Sequence, residues 1–356
     1  MLWTPFKKPF KRFLGIDIGT TSIKVVELSG LRERIKLENY GEIGAQMFYR
    51  KPFRTFEKST LLLSNQDIAK AIGAIFKETK IENREAVFSI PDFSTFFTFL
   101  ELPPMTQEEI SSAVQFKARQ HIPLPLSEVV LDWSIIEEGK VSNREKAGLK
   151  VLLVAVPHEV INQYQEIARL SQIRLLALEA EVFGLLRSLI KDKKGIITLV
   201  DIGAQSTTIS IIEKGVLKIT YSFDVSGNEL TRLLSKSLNI SYNEAEDLKK
   251  RHGIGFSEMK IGRILSPLID LLLSEIEKIS QNFYKAEGKE IEKVILAGGS
   301  ALLPGLKEYS LKRLKKTVEI ANPFTEIFYP PALEQTLREM GPSYAIAVGM
   351  ALRGFE

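Results

Sequence analysis

Residues 15–25 read GIDIGTTSIKV and residues 199–211 read LVDIGAQSTTISI. In each, an apolar run of strand character ends on Asp-Ile-Gly, breaks at a short polar turn and resumes as a second apolar run, the pattern of a β-hairpin. Asp17-Ile18-Gly19 matches Asp201-Ile202-Gly203, so one hairpin design occurs twice. On the apolar pattern the later copy carries two extra residues before its second strand, which sets Glu27 against Glu213. Glycine at such a turn lets backbone approach a ligand, and successive N–H groups with hydroxyls can bind phosphate oxygens. Thr20, Thr21 and Ser22 supply those hydroxyls in one copy; Gln205, Ser206, Thr207 and Thr208 supply the polar groups in the other. A carboxylate before each glycine repels a bare polyphosphate, but holds it through a hydrated Mg²⁺, which prefers oxygen ligands. Asp17 and Asp201 are therefore the candidate metal-holding pair.

Two further stretches join these turns. Residues 294–306, VILAGGSALLPGL, read as a buried strand ending at Gly298-Gly299-Ser300, and bare backbone there can lie against an aromatic base. Ser241 to Glu244 has the spacing of a capping box that starts a helix. On that helix Glu246 and Lys249, three apart, share a face; they could reach a ribose or phosphate, or form a surface ion pair. Lys24, just past the first turn, reads as a solvated strand residue. Phe93 to Phe99 reads as a strand, Thr106 with Glu109 as the cap of a helix, and 129–137 and 149–156 as two more strands.

Composition limits the rest. The 356 residues carry 48 basic and 44 acidic side chains, net +4, with 44% hydrophobic and 26% charged residues. Those values are ordinary for soluble globular chains and argue against disorder and membrane-embedded bundles. The length suits two or three compact units. There is no cysteine, so no disulfide forms. The apolar stretch 264–276 is interrupted by Ser266, Pro267, Asp270 and Ser274, so no membrane-crossing helix is expected. The start, MLWTPFKKPFKRF, is a basic aromatic arm suited at most to weak attraction by an anionic membrane face. Lys312, Arg313, Lys315 and Lys316 read as the wet face of a helix, so nucleic acid is not expected as a partner.

Taken in order, GIDIGTTSIKV, LVDIGAQSTTISI, NEAEDLKKRHG and ILAGGSALLPGL resemble the phosphate-1, phosphate-2, nucleoside and adenosine motifs of the actin-like ATPase superfamily. Within it ELPPMTQEEI, QFKARQHIPLPLSEVVLDW, LEAEVFGLLRSL and YAIAVGMALRG resemble the PilM family of type IV pilus assembly. The resemblance implies an α/β chain with the actin-like ATPase fold, two duplicated RNase H-like domains, and a 1C insertion in place of the actin-type 1B. After a basic arm, 1–12, it places subdomain 1A at 13–90, 173–194 and 335–356, 1C at 91–172, 2A at 195–228 and 266–334, and 2B at 229–265. It implies ATP and Mg²⁺ as cofactors. Asp17 and Asp201 would hold the metal through water, and Gly19, Thr20, Thr21, Ser22, Gly203, Gln205, Ser206 and Thr207 would line the phosphates. Glu246 and Lys249 would serve the ribose, Gly298, Gly299 and Ser300 the adenine, Gly227 would also contact the nucleotide, and Glu179 or Glu181 would position water.

The function implied is a cytoplasmic ATP-binding scaffold at the inner face of the inner membrane, at most a slow ATPase. Its partner would be the N-terminal cytoplasmic tail of a PilN-like inner-membrane protein, in a groove between 1A and 1C for which Phe93 to Phe99 and the Ile122 to Leu126 turn are candidates. Self-association into filaments is also compatible. Two alternatives stay open: an FtsA-like membrane-associated filament protein of cell division, and a small-molecule kinase, for which no carboxylate base is evident beyond Asp92.

Overall fold

The structure, a computed structural model, describes residues 10–31, 34–45, 61, 63–138, 148–191, 194–255 and 260–356. Residues 1–9 of the basic arm, with Lys7 and Lys8, lie outside them. The strands are β1 (Lys11–Ile18), β2 (Ser22–Leu31), β3 (Arg34–Gly44), β4 (Glu85–Ile90), β5 (Phe96–Leu102), β6 (Val129–Glu138), β7 (Leu149–Pro157), β8 (Arg174–Ala180), β9 (Ile196–Ile202), β10 (Thr207–Glu213), β11 (Val216–Phe223), β12 (Lys293–Ala297) and β13 (Thr317–Ile320).

Two five-stranded sheets have the same plan. The first is ordered β3-β2-β1-β4-β8 and the second β11-β10-β9-β12-β13. In each the first three strands form an antiparallel meander and the last two add in parallel. The duplication seen in the turns therefore extends to whole domains. It is also closer than the apolar pattern suggests. Gly19 N donates to Ser22 O at 2.9 Å and Gly203 N to Ser206 O at 3.0 Å. Ile18 pairs with Ile23 and Ile202 with Thr207, so both turns enclose the same number of residues. The expected match of Glu27 with Glu213 is overturned: Glu27 corresponds to Ile211, and Lys24 to Thr208. One hydrogen bond sets the turn length, and the strand after it is free to vary in which positions are polar.

One face of the first sheet is covered by α1 (Asn65–Thr79) and, from later in the chain, by a helix at 158–170, which bring Ile68, Ile72, Val160 and Tyr164 onto Leu14, Ile16 and Ile23. The third sheet, β5-β7-β6, has α2 (Gln107–His121) on one face, with Ile110, Val114 and Ala118 packed on Leu100, Val151 and Leu153. The capping box of Thr106 and Glu109 is formed. β5 starts at Phe96, after a 3-10 turn over 92–94 where the sequence pattern reads as strand. Helix α3 (His158–Leu170) follows the insertion's last strand but buries its apolar side in the first domain.

Helices α4 (Glu181–Leu189) and, at the end of the chain, 334–353 lie between the two large sheets. One core joins Val87, Val182, Leu185, Ile346 and Met350 of the first domain's side to Ile197, Leu199 and Ile295 of the second. The outer face of the second sheet carries α5 (Gly227–Leu238), α6 (Tyr242–His252), α7 (Lys260–Glu287) and α8 (Leu306–Leu314), with Leu230, Ala245, Leu272 and Leu306 among the buried contacts. Helix α9 (Glu334–Arg353) is buried nearly all round over 341–351, which is why that stretch is rich in Ala and Gly. Backbones touch there. A Cβ on Gly15 would lie 1.9 Å from Ala347 O, and one on Gly349 would lie 1.9 Å from Gly184 O.

Glu27 on β2, the cross-strand partner of Leu14, is a cost to the fold. It is 1% exposed, and its Oε1 has no hydrogen bond among the described residues. Burial pushes its carboxyl above the usual range, against the Asn39 hydrogen bond and the Arg12 charge, which pull it down. A raised folded-state pKa makes the contribution favourable in acid and progressively lost as pH rises through it. Glu27→Gln is expected to raise the melting temperature at about pH 8 by a few degrees, with the gain vanishing near about pH 4. A gain equal at both pH values would show that ionisation is not the cause.

Candidate functional site

The site grows from one row of side chains. Glu42, Lys24 and Asp17 are direct cross-strand partners on β3, β2 and β1. Ser89 on β4 donates to Asp17 Oδ1 at 2.8 Å, and Ser89 pairs in register with Glu179 on β8. A polar row thus crosses all five strands of the first sheet, on the face that Gly15 presents to α9. In the second sheet the matching row is Ser222, Thr208, Asp201 and Ala297. Asp201 shares its face with Leu199 and Ile197, which belong to the core between the domains. Both aspartates point into the space between the domains, at the C-terminal ends of central strands, where open α/β sheets place their ligands.

Around the first turn, Asp17, Thr20 and Ser22 are buried, and the Thr21 carbonyl is tied to Ala45 N at 2.7 Å. Lys24 is not solvated: it is 9% exposed, with Nζ donating to Ser22 Oγ at 2.7 Å and lying 3.5 Å from Glu42. β2 is an interior strand covered on both faces, so no position on it reaches bulk water except past the turn.

The second turn docks on α5. Gly227 N donates to Gly203 O at 3.0 Å, Asn228 N to Ala204 O at 2.9 Å, and Asn228 Nδ2 to Gln205 Oε1 at 3.2 Å. Thr207 donates to Val225 O. Lys249 on α6 reaches back to the same helix, donating to Gly227 O and Thr231 Oγ1, each at 2.9 Å, and pairing with Glu246 at 2.7 Å. The Glu246–Lys249 pair is therefore an interior bridge between α5 and α6, made after the expected Ser241–Glu244 capping box. Burial alone would raise the Glu246 carboxyl, but the hydrogen bonds from Lys249 and Thr231 bring it below its ordinary value. Burial lowers the Lys249 ammonium against that attraction.

The third stretch closes the same cradle. Gly298 has φ +84°, a left-handed value, and a Cβ there would lie 2.5 Å from Asp201 Oδ1. Its N–H donates to Pro342 O of α9 at 2.9 Å. A Cβ on Gly227 would meet Ser300 Oγ at 2.4 Å, Gly203 O at 3.4 Å and Lys249 Nζ at 3.6 Å, whereas one on Gly299 would stand in open space. Ser226 Oγ, at the start of α5, is buried without a hydrogen-bond partner among the described residues and does not cap its helix. Such a lining, with only glycines where backbone approaches, a hydroxyl left to bond and a helix start, suits an anionic group. No cluster of three metal-ligating side chains occurs among the described residues, so an ion there would need oxygens from water and ligand.

Glu179 and Glu181 part company. Arg187 holds both Glu179 oxygens, at 2.6 and 2.8 Å, with Arg353 3.6 Å away, and Glu356 completes the ring by pairing with both arginines at 2.9 Å. Glu181 sits buried at the start of α4 and accepts from Asp92 N at 3.3 Å, while Asp92 Oδ1 accepts from Val182 N at 3.1 Å. Ser89, Asn228 and Thr231 are site residues that sequence reasoning misses. A serine inside the apolar run EAVFSI is the one signal for Ser89; nothing marks the other two.

A second concavity, of about 510 Å³, opens where the 92–94 turn meets α3, lined by Phe93, Phe96, Leu124, Glu128, His158 and Glu159. It gathers residues from both stretches expected to form a partner groove.

The chain matches a family model for the type IV pilus assembly protein PilM over residues 15–355. The cell division protein FtsA of Bacillus subtilis strain 168 is 27% identical over 158 residues, covering 38% of this chain; the match spans only 36% of that protein's length. Among solved structures, a chain of the PilM–PilN type IV pilus biogenesis complex superposes with a TM-score of 0.83 at 24% identity, covering 98% of this chain and 100% of that one. MreB5 of Spiroplasma citri bound to AMPPNP superposes with a TM-score of 0.53 at 13% identity, covering 97% and 96%. The two structures establish the actin-like ATPase fold, and the family match establishes that this chain belongs to the PilM family of type IV pilus assembly proteins.

Proposed function

We propose that the chain is a nucleotide-dependent scaffold of the type IV pilus platform, holding Mg-ATP in the cleft and the extended N-terminal tail of a PilN-like inner-membrane protein in the groove at 92–96 and 158–159. The observation that carries the nucleotide half is the identity of the two turns, each closed by one Gly-to-Ser hydrogen bond, preceded by aspartate and opening on the same interdomain space. Asp17 and Asp201 fix the waters of a Mg²⁺, which would neutralise phosphate charge. Gly19 to Ser22 and Gly203 to Thr207 line the phosphates, Gly227, Glu246 and Lys249 the ribose side, and Gly298 to Ser300 the base. Of the two candidate water-positioning residues we take Glu181, because both Glu179 oxygens are held by Arg187.

ATP can shift the closure of the domains only by its differential affinity for the open and closed forms. The groove suits an extended peptide, since edge backbone gives hydrogen bonds while Phe93, Phe96 and Leu124 form pockets for alternate side chains. Among the described residues no helix is long and apolar enough to cross a membrane, and a membrane partner supplies the attachment to the inner face of the inner membrane. The PilM–PilN complex and the AMPPNP-bound MreB5 are the relatives that support these two halves. Asp17→Ala and Asp201→Ala are each expected to weaken Mg-ATP binding by tenfold or more, about 1.4 kcal/mol, in calorimetry with the fold intact. Phe93→Ala with Leu124→Ala is expected to release the tail peptide without changing nucleotide affinity. Unchanged ATP affinity in both aspartate variants, or tail binding indifferent to the groove pair, would refute the corresponding half.

A further inference from the structure

We propose that Tyr242 is a positioning residue for the second turn: through Asn228 its hydroxyl fixes which end of the Gln205 amide is left to meet phosphate oxygens. This rests on the nucleotide reading above and adds a side chain of α6 that acts on the turn at one remove. Tyr242, the first residue of α6, donates its O–H to Asn228 Oδ1 at 2.8 Å. Asn228, the second residue of α5, donates Nδ2 to Gln205 Oε1 at 3.2 Å. Its backbone N–H donates to Ala204 O at 2.9 Å, so one residue ties both helices to the turn. The first turn has no such amide, because the residue that corresponds to Gln205 is Thr21.

The direction of these bonds matters more than their number. An amide offers an oxygen that only accepts and a nitrogen that only donates. Tyr242 engages the oxygen of Asn228, and Asn228 engages the oxygen of Gln205. Among the described residues the Gln205 side chain makes no second hydrogen bond, so the group it has left is its N–H₂. That is the end that suits an anion. Reversing the path would turn over both amides and present the Gln205 oxygen, which repels a phosphate oxygen.

Asn228 cannot set this direction by shape, because the two ends of its amide are nearly alike. The phenol sets it by donating its single proton. Burial, and after it the Glu246 carboxylate, push the Tyr242 phenol above its ordinary value against the Thr231 hydrogen bond, which pulls it down, so the proton stays available to Asn228. Successive bonds that run the same way also polarise one another, which strengthens the donor at the far end. Lys249, the other tie between α6 and this cradle, bonds Gly227 O and Thr231 Oγ1 and so holds the helices together without orienting Gln205.

The test is isothermal titration calorimetry of the full chain with Mg-ATP. Tyr242→Phe, which keeps the ring and removes the O–H, is expected to weaken binding about threefold to tenfold, the range for one neutral hydrogen bond. Gln205→Ala should lose about as much. The double variant should bind no more than about twofold worse than the weaker single, because both changes remove the same contact to phosphate. A purely structural role for the phenol would make the two losses multiply. Gln205→Glu, which keeps an acceptor for Asn228 but replaces the N–H₂ with a carboxylate oxygen, should bind more weakly than Gln205→Ala. Multiplying losses, unchanged affinity in Tyr242→Phe, or parent-like affinity in either Gln205 variant would overturn the assignment. Should Tyr242→Phe not melt cooperatively, Asn228→Ala breaks the same path at its middle and is paired with Gln205→Ala in its place. A parent protein that binds no Mg-ATP overturns the nucleotide reading and this assignment together, whereas a parent that binds it with multiplying losses overturns this assignment alone.

Discussion

Gly349→Val is expected to yield no folded protein. A Cβ at that position would lie 1.9 Å from Gly184 O and 2.4 Å from Gly184 C, both backbone atoms of α4 that no rotamer change can move aside. Helix α9 cannot retreat, because its opposite side rests on β1, where Gly15 approaches Ala347 O just as closely. Separating the helices would open the core that joins both domains, including Val182, Leu185, Ile346 and Met350. Losing even three such side chains to water costs about 1.5–3 kcal/mol each, a large part of the roughly 5–15 kcal/mol by which a domain is stable. The measurement is soluble yield and cooperative melting. Gly73→Ala serves as the control: Gly73 is on α1, a methyl added there would meet nothing within 4 Å, and the change should stabilise by about 0.5–1 kcal/mol. A soluble Gly349→Val protein melting like its parent would contradict the close crossing of α4 and α9.

Arg187→Ala is expected to cost about 3–5 kcal/mol in chemical denaturation, the range for breaking a buried ion pair on one side. Arg187 and Glu179 are each only 16% exposed, and the guanidinium holds both carboxylate oxygens. Its removal leaves Glu179 with Arg353 at 3.6 Å and strands Glu356 on Arg353 alone. The cost should shrink when Glu179→Gln is combined with it, since the buried charge then disappears with its partner. A loss under about 1 kcal/mol would place the ring among exposed pairs of little worth.

Much of the fold is legible in the sequence because the turns speak through chemistry that repeats. Gly19 and Gly203 are forced by close backbone, and Asp17 and Asp201 precede them in both copies. The capping boxes at Thr106 and Ser241 are equally visible, since three-residue spacing is local information. What stays hidden depends on neighbours distant in sequence. Lys24 reads as solvated because a strand residue past a turn gives no sign of whether its sheet is covered; α9, some 320 residues later, is what covers it. Glu246 and Lys249 read equally as a surface pair, and only Gly227 and Thr231 of the preceding helix make them interior. The match of Glu27 with Glu213 fails because the turn, and not the apolar pattern, fixes how the two hairpins correspond. Glu179 and Glu181 are indistinguishable by spacing alone, and Arg187, eight residues beyond Glu179, separates them.

The inserted sheet enters and leaves the host side by side: Phe96, near its entry, is the cross-strand partner of Ala155, near its exit. A segment with adjoining ends behaves as a cassette, which can be traded between homologues through one short hairpin link. The helix that follows Pro157 buries Val160, Tyr164 and Ile167 in the core of the first domain, so it packs as part of the host. The concavity is therefore built half from cassette, through Phe96, Leu124 and Glu128, and half from host, through His158 and Glu159. On the proposed function, swapping the cassette would redraw one wall of the tail-binding groove while the other stays fixed to the first sheet, so partner preference could drift without the two halves of the molecule losing touch.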